Sequence, residues 1–100
     1  MPALLEPEAV QTLLQEVPEW KLEENTISRT FELANFPLAI AFVNKVADEA
    51  EKANHHPDID IRWKNVRLAL STHSAGGLTS ADFMLARKLD QVFGQVAGAA

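Results

Sequence analysis

The sequence contains no cysteine. That removes disulfide cross-links, Cys-ligated zinc and thiol catalysis from the chemistry open to it. It also lacks a long apolar run, and no segment reaches the ~20 residues a membrane span needs. Cations are few and scattered: nine Lys and Arg stand against fourteen Asp and Glu, a net charge of −5. No basic face is on offer to a phosphate backbone, so nucleic acid is not an expected partner. The acidic balance reads as a solvated surface. Met1-Pro2-Ala3-Leu4-Leu5-Glu6 has neither a basic region nor an apolar stretch and does not read as a secretory signal. The expectation is a cytoplasmic protein that meets no membrane.

What the chain does have suits one small domain spanning residues 1–100. Its hydrophobic fraction of 47% is ordinary for a globular protein and argues against disorder. A domain this size buries only about 65% of its unfolded surface, so burial between subunits would add usefully to its stability.

Periodicity divides the chain into seven elements. Pro7 to Val17 reads as a helix with Val10, Leu13, Leu14 and Val17 on one face, ended by Pro18. Trp20–Glu24 and Ile27–Leu33 alternate as two strands around a turn at Asn25, with Ile27, Arg29, Phe31 and Leu33 sharing a face. Pro37 opens a second helix to Ala53, whose apolar stripe is Ala39, Phe42, Val43, Val46, Ala47 and Ala50. Asp58–Trp63 and Val66–Leu70 form a second strand pair turning at Lys64-Asn65. Ile59, Ile61 and Trp63 are expected on the core face, together with Val66, Leu68 and Leu70. Strand alternation carried onward would set His73 on the opposite side. Thr79-Ser80-Ala81-Asp82 has the form of a capping box with Asp in the acidic position. It opens a third helix to about Val96, so apolar around its circumference that subunit contact competes with core packing as its explanation. Gly98-Ala99-Ala100 reads as a frayed end. The order α-β-β-α-β-β-α makes an α+β fold, an antiparallel four-stranded sheet with helices packed on one face.

All three histidines lie in two short segments, Asn54-His55-His56-Pro57 and Ser71-Thr72-His73. Imidazole is the side chain suited to proton transfer near neutral pH. Pro57 fixes the backbone after His56, so the pair is held rather than floppy. Glu51, one turn before His55, could orient it by accepting a ring N–H, and Asp82 could serve as a cap or an orienting anion. Surface histidines at a helix end are the bland alternative. Zinc fits poorly, since neighbouring residues rarely aim both rings at one ion and no H-x-H or H-x-x-x-H pair is present. No nucleophile elbow surrounds Ser71, Ser74 or Ser80.

The pattern Glu51, His55-His56-Pro57, Trp63, His73 and Asp82 resembles the signature of the pterin-4a-carbinolamine dehydratases. The likeness runs from about Leu14 to Val96. It implies dehydration of a 4a-hydroxytetrahydropterin to quinonoid dihydropterin, a step in tetrahydrobiopterin recycling, with no metal and no cofactor because the pterin is the substrate. It implies that His55 and His73 are the acid–base pair and that His56 holds the pterin and shares in proton transfer. The backbone around Asn54, Ser71, Thr72 and Ser74 would hydrogen-bond the pterin edge, and Glu51 and Asp82 would orient. Asn54 stands where animal members have Asp, and Ile59 where they have Trp. The resemblance also implies a homodimer or homotetramer. A non-catalytic module of the same fold, acting as a protein-dimerisation cofactor, is the alternative.

Overall fold

The computed structural model describes residues 3–98. In chain order it consists of α1 (Pro7–Leu14), β1 (Lys21–Glu23), β2 (Thr26–Glu32), α2 (Phe36–Ala53), β3 (Asp58–Arg62), β4 (Asn65–Leu70), a 3-10 turn (His73–Ala75) and α3 (Ser80–Gly98). The strands form one antiparallel sheet in the order β1-β2-β4-β3. The expected element order and sheet are both present. The first helix is shorter than its periodicity suggests, because the chain turns after Leu14 and delivers Val17 to the core from outside the helix. Gly98 still belongs to α3, and Ala99 and Ala100 lie outside the described residues.

Both strand pairs are hairpins closed by two-residue turns, with Glu23 opposite Thr26 and Arg62 opposite Asn65. The left-handed residue in the first turn is Glu24 (φ 55°), not Asn25. In the second it is Trp63 (φ 56°), which moves the turn to Trp63-Lys64 and gives Asn65 to β4.

The central strands β2 and β4 carry the core. Ile27, Phe31, Val66, Leu68 and Leu70 are fully buried beneath Ala39, Phe42 and Val46 of α2 and Phe83, Ala86 and Leu89 of α3. Ala47, expected in the α2 stripe, is exposed instead. The α3 stripe is spent inside the chain: Leu85, Val92 and Val96 are buried, so core packing accounts for its apolar circumference. Phe31 sits among Trp20, Phe42 and Phe93 at centroid distances of 6.0, 4.9 and 5.1 Å. Arg29 lies across this cluster, its guanidinium carbon 4.3 Å from the Phe31 centroid, and donates to Asp90 Oδ1 at 2.8 Å. The Trp20 indole N–H reaches the same oxygen at 2.8 Å. One carboxylate thus fixes α3 to β2 and to the segment before β1.

Among the described residues the outer sheet face has no helix over it, and it is polar. There Glu23 accepts from the Ser28 hydroxyl and from Arg67, and these two contacts hold its carboxyl below the usual carboxylate range.

One expectation fails at the sheet edge. Ile59 and Ile61 pair with Leu68 and Val66, so they do point to the core side, but they remain 40% and 37% exposed, and Trp63 is 67% exposed. Alternation assigns a face, not a cover. The helices roof the central strands and stop short of β3.

Candidate active site

Three element ends meet at the histidine segments. Asn35 caps the start of α2 by accepting the Leu38 N–H at 2.9 Å. At the other end Asn54 takes a left-handed conformation (φ 49°), which Asn tolerates better than most residues. The His55 N–H turns back to the Ala50 carbonyl at 3.1 Å. The chain therefore leaves α2 sharply, and His55-His56-Pro57 runs straight into β3.

The second segment begins where β4 ends at Leu70. Strand alternation does not extend to His73, because the residue opens the 3-10 turn. The loop is pinned by the Thr72–Gly77 bridge, with Thr72 N–H to Gly77 O at 2.9 Å. Gly76 supplies the left-handed angle the loop needs (φ 80°). The N-terminal segment braces it, the Leu5 N–H reaching Leu78 O at 2.9 Å.

The third end is the start of α3, where the capping box forms as its sequence indicates. Thr79 Oγ1 accepts the Ala81 N–H at 3.2 Å, and Asp82 Oδ2 accepts the Thr79 N–H at 2.9 Å. Asp82 does more than cap. Its side chain is 0% exposed, its Oδ2 also accepts the Thr72 hydroxyl at 2.8 Å, and its Oδ1 lies 2.6 Å from His55 Nε2. The Thr72 and Thr79 hydroxyls are 2.8 Å apart. A buried carboxylate is costly unless its lone pairs are satisfied. Here three protein groups satisfy it, and one of them is the ring of His55.

The orienting partners are therefore the reverse of the sequence expectation for Glu51. Asp82, not Glu51, holds His55. Glu51 Oε2 lies 2.6 Å from His56 Nε2, with both side chains exposed. The reason is geometric: the left-handed step at Asn54 swings His55 inward toward α3 and leaves His56 on the outside, near the last turn of α2.

The remaining candidates divide. His73 and Ser74 are exposed and free to meet a ligand. The Ser71 hydroxyl donates to Asn25 O at 2.8 Å, tying the end of β4 to the first hairpin. Thr72 is buried, its hydroxyl on Asp82 and its carbonyl accepting from Ala75, Gly76 and Gly77, so it builds the site from behind rather than facing a ligand. Thr72 and Thr79 as holders of Asp82 were not legible individually. Only the Thr-x-x-Asp cap hinted at one of them.

His55 also borders a cleft of about 420 Å³ between the last turn of α2 and the first turn of α3, floored by Ala53, Ala81, Met84 and Leu85. His56 and His73 do not line that cleft. The link between His55 and His73 runs instead through Asp82 and Thr72, the residue immediately before His73. Among the described residues no three His, Asp or Glu side chains gather as a metal site.

A family model described as pterin 4 alpha carbinolamine dehydratase matches residues 3–92. The chain belongs to the pterin-4a-carbinolamine dehydratase family. A protein of Chloroflexus aurantiacus, provisionally named for this family, is 61% identical over 94 residues, which are 94% of this chain and 100% of that protein. A Nocardia farcinica protein with the same provisional name is 54% identical over 89% of this chain and 94% of its own length. Among solved structures, a transcriptional coactivator/pterin dehydratase from Brucella melitensis aligns with TM-score 0.86 at 30% identity, over 90% of this chain and 98% of that one. A pterin dehydratase-like protein identified as a RuBisCO assembly factor of the alpha-carboxysome aligns with TM-score 0.63 at 20% identity, covering 75% and 87% of the two chains. At that identity it speaks for the fold alone. Among the described residues no helix is long and apolar enough to cross a membrane.

Proposed function

We propose that this chain dehydrates a 4a-hydroxytetrahydropterin by histidine acid–base catalysis, within tetrahydrobiopterin recycling and without a metal or other cofactor. The observation that carries the reading is the pairing of His55 with buried Asp82, in a chain whose residues 3–92 match the family model. The reaction breaks the C4a–O bond. The leaving hydroxyl gains a proton and departs as water, N5 gives up its proton, and the electron pair of the N5–H bond forms the N5=C4a double bond of quinonoid dihydropterin. One proton is delivered and one removed, so the site needs an acid and a base near the same carbon.

Asp82 sets up His55 for one of these parts. An ionised carboxylate can only accept, so Nε2 carries the proton shared with Asp82 and the other ring nitrogen is left for the substrate. In this reading His73, exposed at the start of the 3-10 turn, takes the complementary part. His56 holds the pterin, steadied by Glu51, and shares in proton transfer. Asn54 and Ser74 offer polar edges beside them, and Ser71 and Thr72 keep the loop in place.

The Brucella neighbour is described as a transcriptional coactivator as well as a pterin dehydratase, and this gives the alternative of a non-catalytic protein-dimerisation module some footing. A stopped-flow assay on freshly generated 4a-hydroxytetrahydropterin separates the two. The dehydratase reading expects wild-type protein to accelerate decay of the carbinolamine absorbance in proportion to its concentration. A rate equal to the uncatalysed one at every protein concentration overturns it and favours the binding module.

A further inference from the structure

The Thr72 and Thr79 hydroxyls lie 2.8 Å apart, and distance alone lets either one donate. Counting hydrogens decides the direction. Thr72 has one hydroxyl hydrogen, and it goes to Asp82 Oδ2 at 2.8 Å. None is left for Thr79. The count from the other end agrees. Thr79 Oγ1 already accepts the Ala81 N–H at 3.2 Å, and the residue is 0% exposed, so its own hydrogen needs an acceptor within the protein. Among the described residues the Thr72 oxygen is the acceptor in reach, and no buried side-chain nitrogen or oxygen is left without a partner. The hydrogens therefore run one way, from the first turn of α3 through Thr79 and Thr72 to Asp82 Oδ2. The His55 ring meets the other oxygen of the same carboxylate at 2.6 Å.

The direction matters because a threonine hydroxyl is a rotor. Thr72 could turn its hydrogen to Asp82 or to Thr79. The Thr79 hydrogen, aimed at Thr72 Oγ1, closes the second choice and leaves Asp82 as the target. The backbone of Thr72 is fixed as firmly. Its N–H reaches Gly77 O at 2.9 Å, and its carbonyl accepts the Ala75 and Gly76 N–H groups at 3.0 and 3.1 Å, in the turn that His73 opens. Thr72 is thus tied to one imidazole by its side chain and to the other by its main chain. We propose that Thr79 is a positioning residue for the dehydration. Its hydroxyl locks Thr72 onto Asp82 and so holds His55, through the carboxylate, in register with His73, through the loop. The inference rests on His55 and His73 being the acid–base pair. Thr79 is fully buried and meets no substrate itself.

Thr79→Val keeps the shape and removes the hydroxyl, and Thr79→Ser keeps the hydroxyl. Thr79→Val is expected to lower kcat about tenfold or more with little change in KM, as loss of a group that orients a reacting one does. It should also shift the ring nitrogen resonances of His55, and Thr79→Ser should restore both. Valine removes the cap on the Ala81 N–H as well, which is a structural loss. A double-mutant cycle takes that loss out, because the cap is the same with or without the Thr72 hydroxyl. In a Thr72→Val background the change at Thr79 should cost little further rate, since the chain of hydrogens is already cut. Losses that multiply across the two single variants overturn the proposal. So does a Thr79→Val protein with wild-type kcat and an unmoved His55 ring. Both outcomes leave the dehydratase reading standing, whereas a wild-type protein without dehydratase activity takes the reading and the inference down together. Where Thr79→Val does not fold, the wild-type protein decides. Its NMR spectrum should hold a slowly exchanging Thr79 hydroxyl proton with a nuclear Overhauser contact to Thr72, and a Thr79 hydroxyl that exchanges as fast as that of free threonine overturns the proposal.

Discussion

Asp82→Ala is expected to be the most destabilising polar substitution at the site. The carboxylate is buried and accepts from the Thr72 hydroxyl and the Thr79 N–H, with the His55 ring against its other oxygen. Truncation strands the buried Thr72 hydroxyl and Thr79 N–H and takes the partner from the half-buried His55 ring. Removing one partner of a buried charged network costs about 3–5 kcal/mol. At roughly 4–8 °C per kcal/mol for a chain of this length, Tm should fall by at least about 12 °C. Thermal unfolding followed by circular dichroism checks it, and a Tm within 3 °C of wild type would contradict the role assigned to Asp82. Asp82→Asn separates structure from chemistry. The amide keeps the shape and an acceptor for the Thr79 N–H, so the loss in Tm should be much smaller. Its NH₂ group, turned to His55, can only donate. The ring must then offer a bare Nε2 and move its proton to Nδ1, the wrong tautomer for the proposed role. Activity should fall by about 10²-fold or more while the fold survives, and ring nitrogen shifts should report the exchanged tautomer.

Replacing His55 and His73 together by alanine should remove dehydratase activity almost entirely. Positioned acid–base groups contribute about 10²–10⁴-fold each, and loss of both leaves only binding to favour the reaction. His73 is exposed, so His73→Ala alone should leave Tm unchanged. His55→Ala frees Asp82 Oδ1 from its partner and should cost some stability as well as rate. Because the two residues serve the same proton balance, the losses should not add: the double variant should sit close to the slower single variant. Near-wild-type decay of the carbinolamine with the folded double variant would exclude His55 and His73 as the acid–base pair. His56→Ala provides the contrast, with a rise in KM larger than any fall in kcat if its part is to hold the pterin.

Much of this was readable from residue order. Helical spacing located α2 and α3 because their core faces repeat cleanly, and strand alternation assigned the faces of β2 and β4 correctly. The His-His-Pro and Thr-x-x-Asp motifs marked two ends of the site. What alternation could not carry was distance from the roof. Ile59 and Ile61 have the same pattern as Leu68 and Val66, and only strand order reveals that one pair is central and the other at the edge. Nor could spacing along the helix choose between Glu51 and Asp82 as the partner of His55. That choice rests on one left-handed residue, Asn54, whose backbone angle redirects the chain. His73 illustrates the same limit: it follows a strand by three residues, and a 3-10 turn cancels the parity argument.

The central claim is that His55, His56 and His73 serve one pterin site, although His55 alone borders the α2–α3 cleft and the other two are exposed outside it. The most direct measurement follows the three imidazoles by NMR while wild-type protein is titrated with 7,8-dihydrobiopterin, a pterin with no 4a-hydroxyl to lose. The account predicts that all three rings shift together along one binding curve with a single Kd. Saturable binding that moves only one ring, or rings that follow separate curves, would contradict a shared site.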